Sequence, residues 1–429
     1  MSEFRVTDAR TLAGDAIDLV IRNGRIDERL PAGEADPGAV APERHHDADG
    51  RLVTPPLVEP HLHLDAALTA GEPDWNRSGT LAEGIETWAA YKADLDRADV
   101  LDRAERCVEW LAANGVTRVR THADTTEPTL TGVEALLELQ DRVADLVDLQ
   151  VVAFPQDGLF TDPDHEALFV EAIEMGADVV GGIPHNERTR EEGVQDVTTA
   201  VELADRYDRP LDLHIDETDD PESRFTEVLA AEAADRGLGD RTTASHATAM
   251  HSYPNPYAAK LIDLLAESGI AVITNPPDNS VLQGRYDEYP RRRGHTRIDE
   301  LRAAGVTVGL GHDSVVDPWY HYGVGDPLEA AHVLVHYAHM SGRDDVAALW
   351  EMLTDANAAI FGVGADEYGL TVGARGSLVV HDALDGFDAL RRRPPRRLVL
   401  RDGEPIVESE PATIALTRGD ETRTVSFQR

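Results

Sequence analysis

Cysteine, lysine and long apolar runs are what this 429-residue chain has least of. The single cysteine, Cys107, excludes an intrachain disulfide and any metal site built from a cluster of thiolates, so a bound metal must use nitrogen and oxygen donors. Lysine occurs only as Lys92 and Lys260, while acids outnumber bases 80 to 40 and the net charge is -40. Such a surface repels phosphate backbones and anionic bilayers, which removes nucleic acid and membranes from the expected partners. Arginine retained where lysine is nearly absent points to a cytoplasm rich in salt, where screening relieves self-repulsion and carboxylates hold hydration. No run of about 18 apolar residues occurs and residues 1–10 are polar and charged, so the reading is of a soluble cytoplasmic protein.

What is present is a repeated unit: a short apolar run, a chemically loaded end, then a segment of helical periodicity. The strand candidates are 52–65, 116–124, 149–156, 177–185, 211–217, 242–248, 270–276 and 306–314. Amphipathic stretches at 129–146, 165–176 and 223–237 carry acids near their starts and glycine near several ends. Alternation of strand and helix implies parallel strands, because each return needs a crossover. Units of about 30 residues repeated eight times fit a closed (β/α)8 barrel, with a doubly wound open sheet as the alternative. The polar residues favour the barrel: His61, His63, His122, Gln156, His185, His214, Glu217, His246, Asn275 and Asp313 all fall at C-terminal strand ends, which a barrel gathers at one mouth. "IDLVIRNGRIDER" (17–29) reads as a hairpin about Asn-Gly, and 31–50 as a loop. Short strands after about residue 365 join that hairpin in an accessory β-sandwich. The expected division is 1–50 and 365–429 for the accessory domain and 51–364 for the barrel.

His61 and His63 in "EPHLHLD" are two residues apart on one strand, so both imidazoles face the same way. Together with His214 and Asp313 they offer three imidazoles and a carboxylate, a set suited to Zn2+ or Fe2+. Strand four ends in "GGIPH" without a lysine that could be carboxylated to bridge two ions, so one divalent metal is expected. His122 and His185 are candidates for supporting this set, or for plain structural roles. His45, His46, His165, His295 and His381 lie in loops or on helices, outside it. Glu217, three residues after His214, either swings over the mouth or serves as an acid at the start of the following helix.

The stretches "TPPLVEPHLHLDAALTAGEPDWNRSGTLAEGIETWA", "AFPQDG", "DLHIDETDDPESRF", "TASHATAMHSY", "LQGRYDEYPRRRG", "GHDSVVDPWY" and "GFDALRRR" resemble the bacterial-type cytosine deaminases of the amidohydrolase superfamily, in order, from about 50 to 395. The resemblance implies a deformed (β/α)8 barrel with an accessory β domain, one catalytic iron or zinc ion, homo-oligomeric assembly, and a small aminated pyrimidine as substrate. It makes His61, His63, His214 and Asp313 the metal ligands. Gln156 would bond the pyrimidine amide edge, Glu217 would face the ring nitrogen, His246 would stand beside the attacking water, and Trp319 would wall the pocket. Glu217, His246 and Asp313 would then be the catalytic groups. The family pattern has a second aspartate after the one at 313; here Ser314 follows, and Asn186 stands where relatives carry an aromatic residue, so pocket preference can differ from cytosine. Isoguanine, a creatinine-like ring or a triazine are the alternatives, and a non-catalytic barrel scaffold is the reading from another class.

The acidic surface predicts a thermal midpoint that rises with salt concentration; a midpoint unchanged between dilute and molar salt would contradict the salty-cell reading.

Overall fold

Pro55 and Pro56 divide the first apolar run, because neither offers an N–H to a ladder. Val53–Thr54 before them pairs antiparallel with Leu378–His381, and only the residues after them enter the barrel. The computed structural model describes residues 3–364 and 366–427. Its main sheet holds eight strands in sequential order: β1 (Leu57–Leu62), β2 (Val116–Asp124), β3 (Asp148–Phe154), β4 (Val179–Val180), β5 (Leu211–Ile215), β6 (Thr242–His246), β7 (Ala271–Thr274) and β8 (Val308–Leu310). All seven pairings are parallel, with helices on the outside, so β2 is buried along its whole length despite two arginines.

The ring closes just past β1 and β8. Leu62 bridges Asp313, Asp313 N donates to His61 O at 3.0 Å, and His63 N donates to Asp313 O at 3.2 Å. The seam of the barrel is thus made by the backbone of three residues singled out for their side chains. This is the (β/α)8 architecture expected from the alternation of elements.

β4 is shorter than the 177–185 run suggested. Gly181 passes so close to β3 that a Cβ would lie 2.4 Å from Ala153 O, and at Pro184, which has no N–H to extend a ladder, the chain turns into a short 3-10 helix, Pro184–Asn186. Some of the helices begin with side-chain caps: Thr80 accepts from Glu83 N, Asp96 from Ala98 N and Asp99 N, and Thr189 from Glu192 N.

Two four-stranded sheets form the accessory sandwich. The first has the order Arg25–Pro31, Ala16–Arg22, Glu3–Arg10, His45–Asp47; the second has Glu404–Glu408, Arg396–Arg401, Leu378–His381, Val53–Thr54. They share a core of Phe4, Leu19, Ile21, Ile26, Val53, Leu378, Val380, Leu398 and Leu400. The hairpin turns at Asn23 and Gly24, both with left-handed backbone (φ 51° and 78°). The segment 31–50, expected as loop, contributes His45–Asp47, paired parallel with Glu3–Arg10. Its short apolar content hides this, since only three residues pair. Among the described residues no helix is long and apolar enough to cross a membrane.

Ion pairs lock the sandwich to the barrel away from the mouth. Asp148, at the N-terminal end of β3, accepts from Arg375 Nη1 at 2.8 Å and Arg401 Nη2 at 2.6 Å. Asp326 caps helix Pro327–Tyr337 through Leu328 N and also pairs with buried Arg396 of the second sheet. Asp326→Ala removes the cap and leaves the guanidinium without its counter-charge. We expect about 3–5 kcal/mol of destabilisation, read as a lower denaturant midpoint at constant salt with unchanged slope; an unchanged midpoint would show that the pair does not couple the two parts.

Candidate metal centre and pocket

Four donor atoms converge at the mouth. His214 Nε2 lies 3.2 Å from His61 Nε2 and 3.0 Å from His63 Nε2, and Asp313 Oδ1 lies 3.4 Å from each of His61 Nε2 and His63 Nε2. Ligands at about 2.0–2.2 Å in a tetrahedral arrangement have edges of about 3.3 Å, so these separations are those of one shared ion. The expected set of His61, His63, His214 and Asp313 is therefore brought together. His246 stands nearby: His61, His214, His246 and Asp313 each place one donor atom within 4.8 Å of the others, as do His61, His63 and His122.

The tautomer of His61 is fixed from below. His61 Nδ1 faces Ser245 Oγ at 3.0 Å, and Ser245 Oγ donates to Asp212 Oδ1 at 2.6 Å. With its hydroxyl proton committed to Asp212, Ser245 can only accept from His61 Nδ1–H, which leaves the His61 Nε2 lone pair at the mouth. Arg120 Nη1 donates to the other Asp212 oxygen at 3.0 Å. Register makes this relay possible, since His214 of β5 lies opposite Ser245 of β6.

Backbone turns aim the rest. Asp216 (φ 51°), His246 (φ 70°) and Asp313 (φ 73°) adopt left-handed conformations where strands leave the sheet, a strain that clusters at functional sites. The turn at Asp216 resolves the two readings of Glu217. Asp216 takes the helix: its carboxylate accepts from Phe225 N at 3.0 Å and Thr226 N at 2.9 Å, the start of helix Phe225–Arg236. Glu217 is released into the pocket wall, where Asn279 Nδ2 donates to its Oε1 at 3.4 Å and His246 Nδ1 lies 3.6 Å away. Asn279 Nδ2 also reaches His246 Nδ1 at 3.2 Å, and Asp313 Oδ2 lies 3.8 Å from that nitrogen.

Gln156, Ser314 and Trp319 line the same pocket as Glu217, joined by Asn186 and His185. The Trp319 ring packs between His63 and Trp88, with centroids 6.0 and 6.2 Å away. His122 lies beneath, its ring 4.1 Å from that of His61. Sequence reasoning missed Ser245, Asp212, Asn279 and Asp278, and also Leu81 and Ile85, which helix Leu81–Lys92 lays over the pocket. That helix is tied down by Lys92, distant in sequence from any strand end, whose Nζ donates to Asp124 Oδ2 at 2.7 Å and Asp157 Oδ2 at 2.6 Å.

Burial sets the protonation states. It pushes His61, His63, His214 and His246 well below the ordinary imidazole range, so all four are neutral and offer lone pairs. It lifts Asp313 well above the carboxylate range, helped by repulsion from Asp278 and Glu217, and lifts the Glu217 carboxyl to about 8. Neutral imidazoles meeting crowded carboxyls with few cationic partners make an environment that a divalent cation neutralises, and the donor set fits one.

A (β/α)8 barrel with this mouth defines a hydrolase of the barrel type. The chain belongs to the amidohydrolase family, whose sequence profile matches residues 90–407. It is 45% identical to 5-methylcytosine deaminase from Klebsiella pneumoniae, solved with 5-fluorocytosine, over 96% of this chain and 99% of that one, with a TM-score of 0.92. N-isopropylammelide isopropylaminohydrolase from Burkholderia multivorans is 31% identical, covers 95% of this chain and 98% of its own, and superposes with a TM-score of 0.81. Pterin deaminase from Rhizobium rhizogenes is 31% identical over 398 residues, 92% of this chain and 88% of that protein.

Ser245→Ala deprives His61 Nδ1–H of its acceptor. Metal affinity should fall about 10–100-fold in competition with a chelator, with the fold intact; an unchanged affinity would remove the relay from the site's construction.

Proposed function

We propose that this enzyme hydrolyses the exocyclic C–N bond of an aminated pyrimidine, cytosine or its 5-methyl derivative, to the oxo ring and ammonia. The observation that carries this reading is the pairing of a buried acid, Glu217, lifted to about 8, with a convergent His/Asp donor set across one small pocket. The kinship at 45% identity to a 5-methylcytosine deaminase supports the ring class, and the small Ser314 on the pocket wall suits a ring with a substituent.

His61, His63, His214 and Asp313 would hold one divalent ion, iron or zinc. Such an ion supplies Lewis acidity, lowering the pKa of a water it binds from about 15.7 toward 7. Gln156 bonds the amide edge of the ring and so fixes which carbon faces the donor set. Glu217 enters protonated and gives its proton to the ring nitrogen beside the amino-bearing carbon, which makes that carbon electrophilic. His246 takes up at Nδ1 the proton lost as water adds to the carbon, and Asp313 Oδ2, 3.8 Å from that nitrogen, orients it. The same proton returns to the exocyclic nitrogen so that ammonia leaves, and the proton of the added hydroxyl passes to the Glu217 carboxylate as the ring carbonyl forms, which restores the acid. Trp319 and helix Leu81–Lys92 keep bulk water from the pocket. We further propose that the enzyme is a homo-oligomer acting in pyrimidine salvage in a salt-rich cytoplasm, on the resemblance and the net charge of -40.

The test is ammonia release at high salt from cytosine, 5-methylcytosine, isoguanine, creatinine and aminotriazines, with iron, zinc or chelator added. Turnover of the pyrimidines, abolished by chelator, is expected; release from none of the rings would overturn the reading. Glu217→Gln should retain metal and lose about 10²-fold or more in kcat. The wild-type rate should fall as pH rises past about 8, where this acid loses its proton, and full activity in the variant would remove Glu217 from the mechanism.

A further inference from the structure

The pocket wall holds one carboxyl that this chemistry leaves unused. Asp278 is the third residue of the short helix Pro276–Leu282 that follows β7. Acids at such positions commonly serve the helix's free N–H groups. This one reaches across to the turn after β8, where Ser314 Oγ donates to its Oδ2 at 2.7 Å. Asp278 is 2% exposed, lines the same pocket as Gln156 and Glu217, and its Oδ1 has no hydrogen-bond donor among the described residues. A buried acceptor without a donor is costly, and one facing a ligand pocket is satisfied by the ligand.

We propose that Asp278 is a substrate-contacting specificity residue: Ser314 fixes Oδ2, and Oδ1 accepts an N–H from the exocyclic amino group of the bound ring. This inference rests on the pocket taking an aminated heterocycle and adds which substituent the wall reads. Asn279, next to Asp278 in the chain, donates to Glu217 Oε1, and Ser314, which bonds Asp278, directly follows Asp313, so Asp278 stands beside both Glu217 and Asp313. Those two groups serve the ring nitrogen and the carbon under attack, so the substituent on that carbon is what Oδ1 meets. The oxo group that replaces the amine has no hydrogen to donate. A carboxyl acceptor therefore holds the substrate and repels the product, a bias that binding to the ring edge alone would not give.

The test compares rings that differ only at that substituent. KM for cytosine and Ki for 2-pyrimidinone, which lacks the amino group, are measured with metal-loaded wild type, Asp278→Val and Ser314→Ala, with circular dichroism and metal content confirming the fold. Asp278→Val should raise KM for cytosine about 10-fold or more while Ki for 2-pyrimidinone stays within about two-fold and inhibition by uracil tightens. Ser314→Ala, which frees Oδ2, should raise KM by a smaller factor. KM and Ki moving together, or KM not moving, would overturn the assignment. If Asp278→Val does not fold, Asp278→Asn serves in its place, with the same split between KM and Ki expected at a smaller factor and the same overturning result. Ammonia release by the wild type reports separately on the underlying reading. Should no ring be turned over, calorimetric Kd values for the same pair of rings decide the role of Asp278, a selective loss for cytosine supporting it and equal changes refuting it.

Discussion

The structure depends on lone pairs of neutral imidazoles being held against one another and against a carboxyl oxygen. His61, His63 and His214 place nitrogen atoms 3.0–3.2 Å apart in a buried space, and His61 has its only proton directed away toward Ser245. A divalent cation between these donors would take a lone pair from each of them at once. The barrel supplies the rigidity that sustains the arrangement. Closure through the backbone of His61, His63 and Asp313 means that the donor set and the seam of the fold are one feature, so the site cannot relax without opening the sheet.

Around this centre the fold divides labour between neighbouring residues. Asp216 caps a helix so that Glu217 is free to face the pocket. Asp212 fixes Ser245, which fixes His61. Lys92, one of only two lysines in the chain, holds the covering helix against Asp124 and Asp157 instead of lying on the surface. The accessory sandwich does none of this chemistry. It is bonded to the N-terminal end of β3, opposite the mouth, and its contacts are with the barrel's frame.

Much of this was legible in the sequence because strand chemistry is local. The run "VTRVRTHAD" at 116–124 became β2 with the same limits, and the same-face spacing of His61 and His63 carried directly into a shared donor site. What escaped was set by tertiary approach. β4 gives way after Val180 to Gly181 and Gly182, whose close approach to Ala153 of β3 and Leu213 of β5 no pattern in residues 177–185 records. Glu3–Arg10 and His45–Asp47 pair with each other across a segment that looks like a loop, since their partner lies far off in the chain. Asp278 reads as an ordinary helix-start acid, and Asn279 as its neighbour, until the loop after β7 is laid beside the turn after β8. Whether Glu217 faces the mouth or starts the following helix, which sequence alone left open, turned on the left-handed backbone of Asp216.

The most direct measurement is X-ray absorption spectroscopy of the protein reconstituted with a single zinc or iron equivalent. The account predicts one tightly held ion per chain, with a first shell of nitrogen and oxygen at about 2.0–2.2 Å and the multiple-scattering signature of three imidazoles. A first shell without histidine scattering, or an ion retained unchanged after His214→Ala, would contradict it.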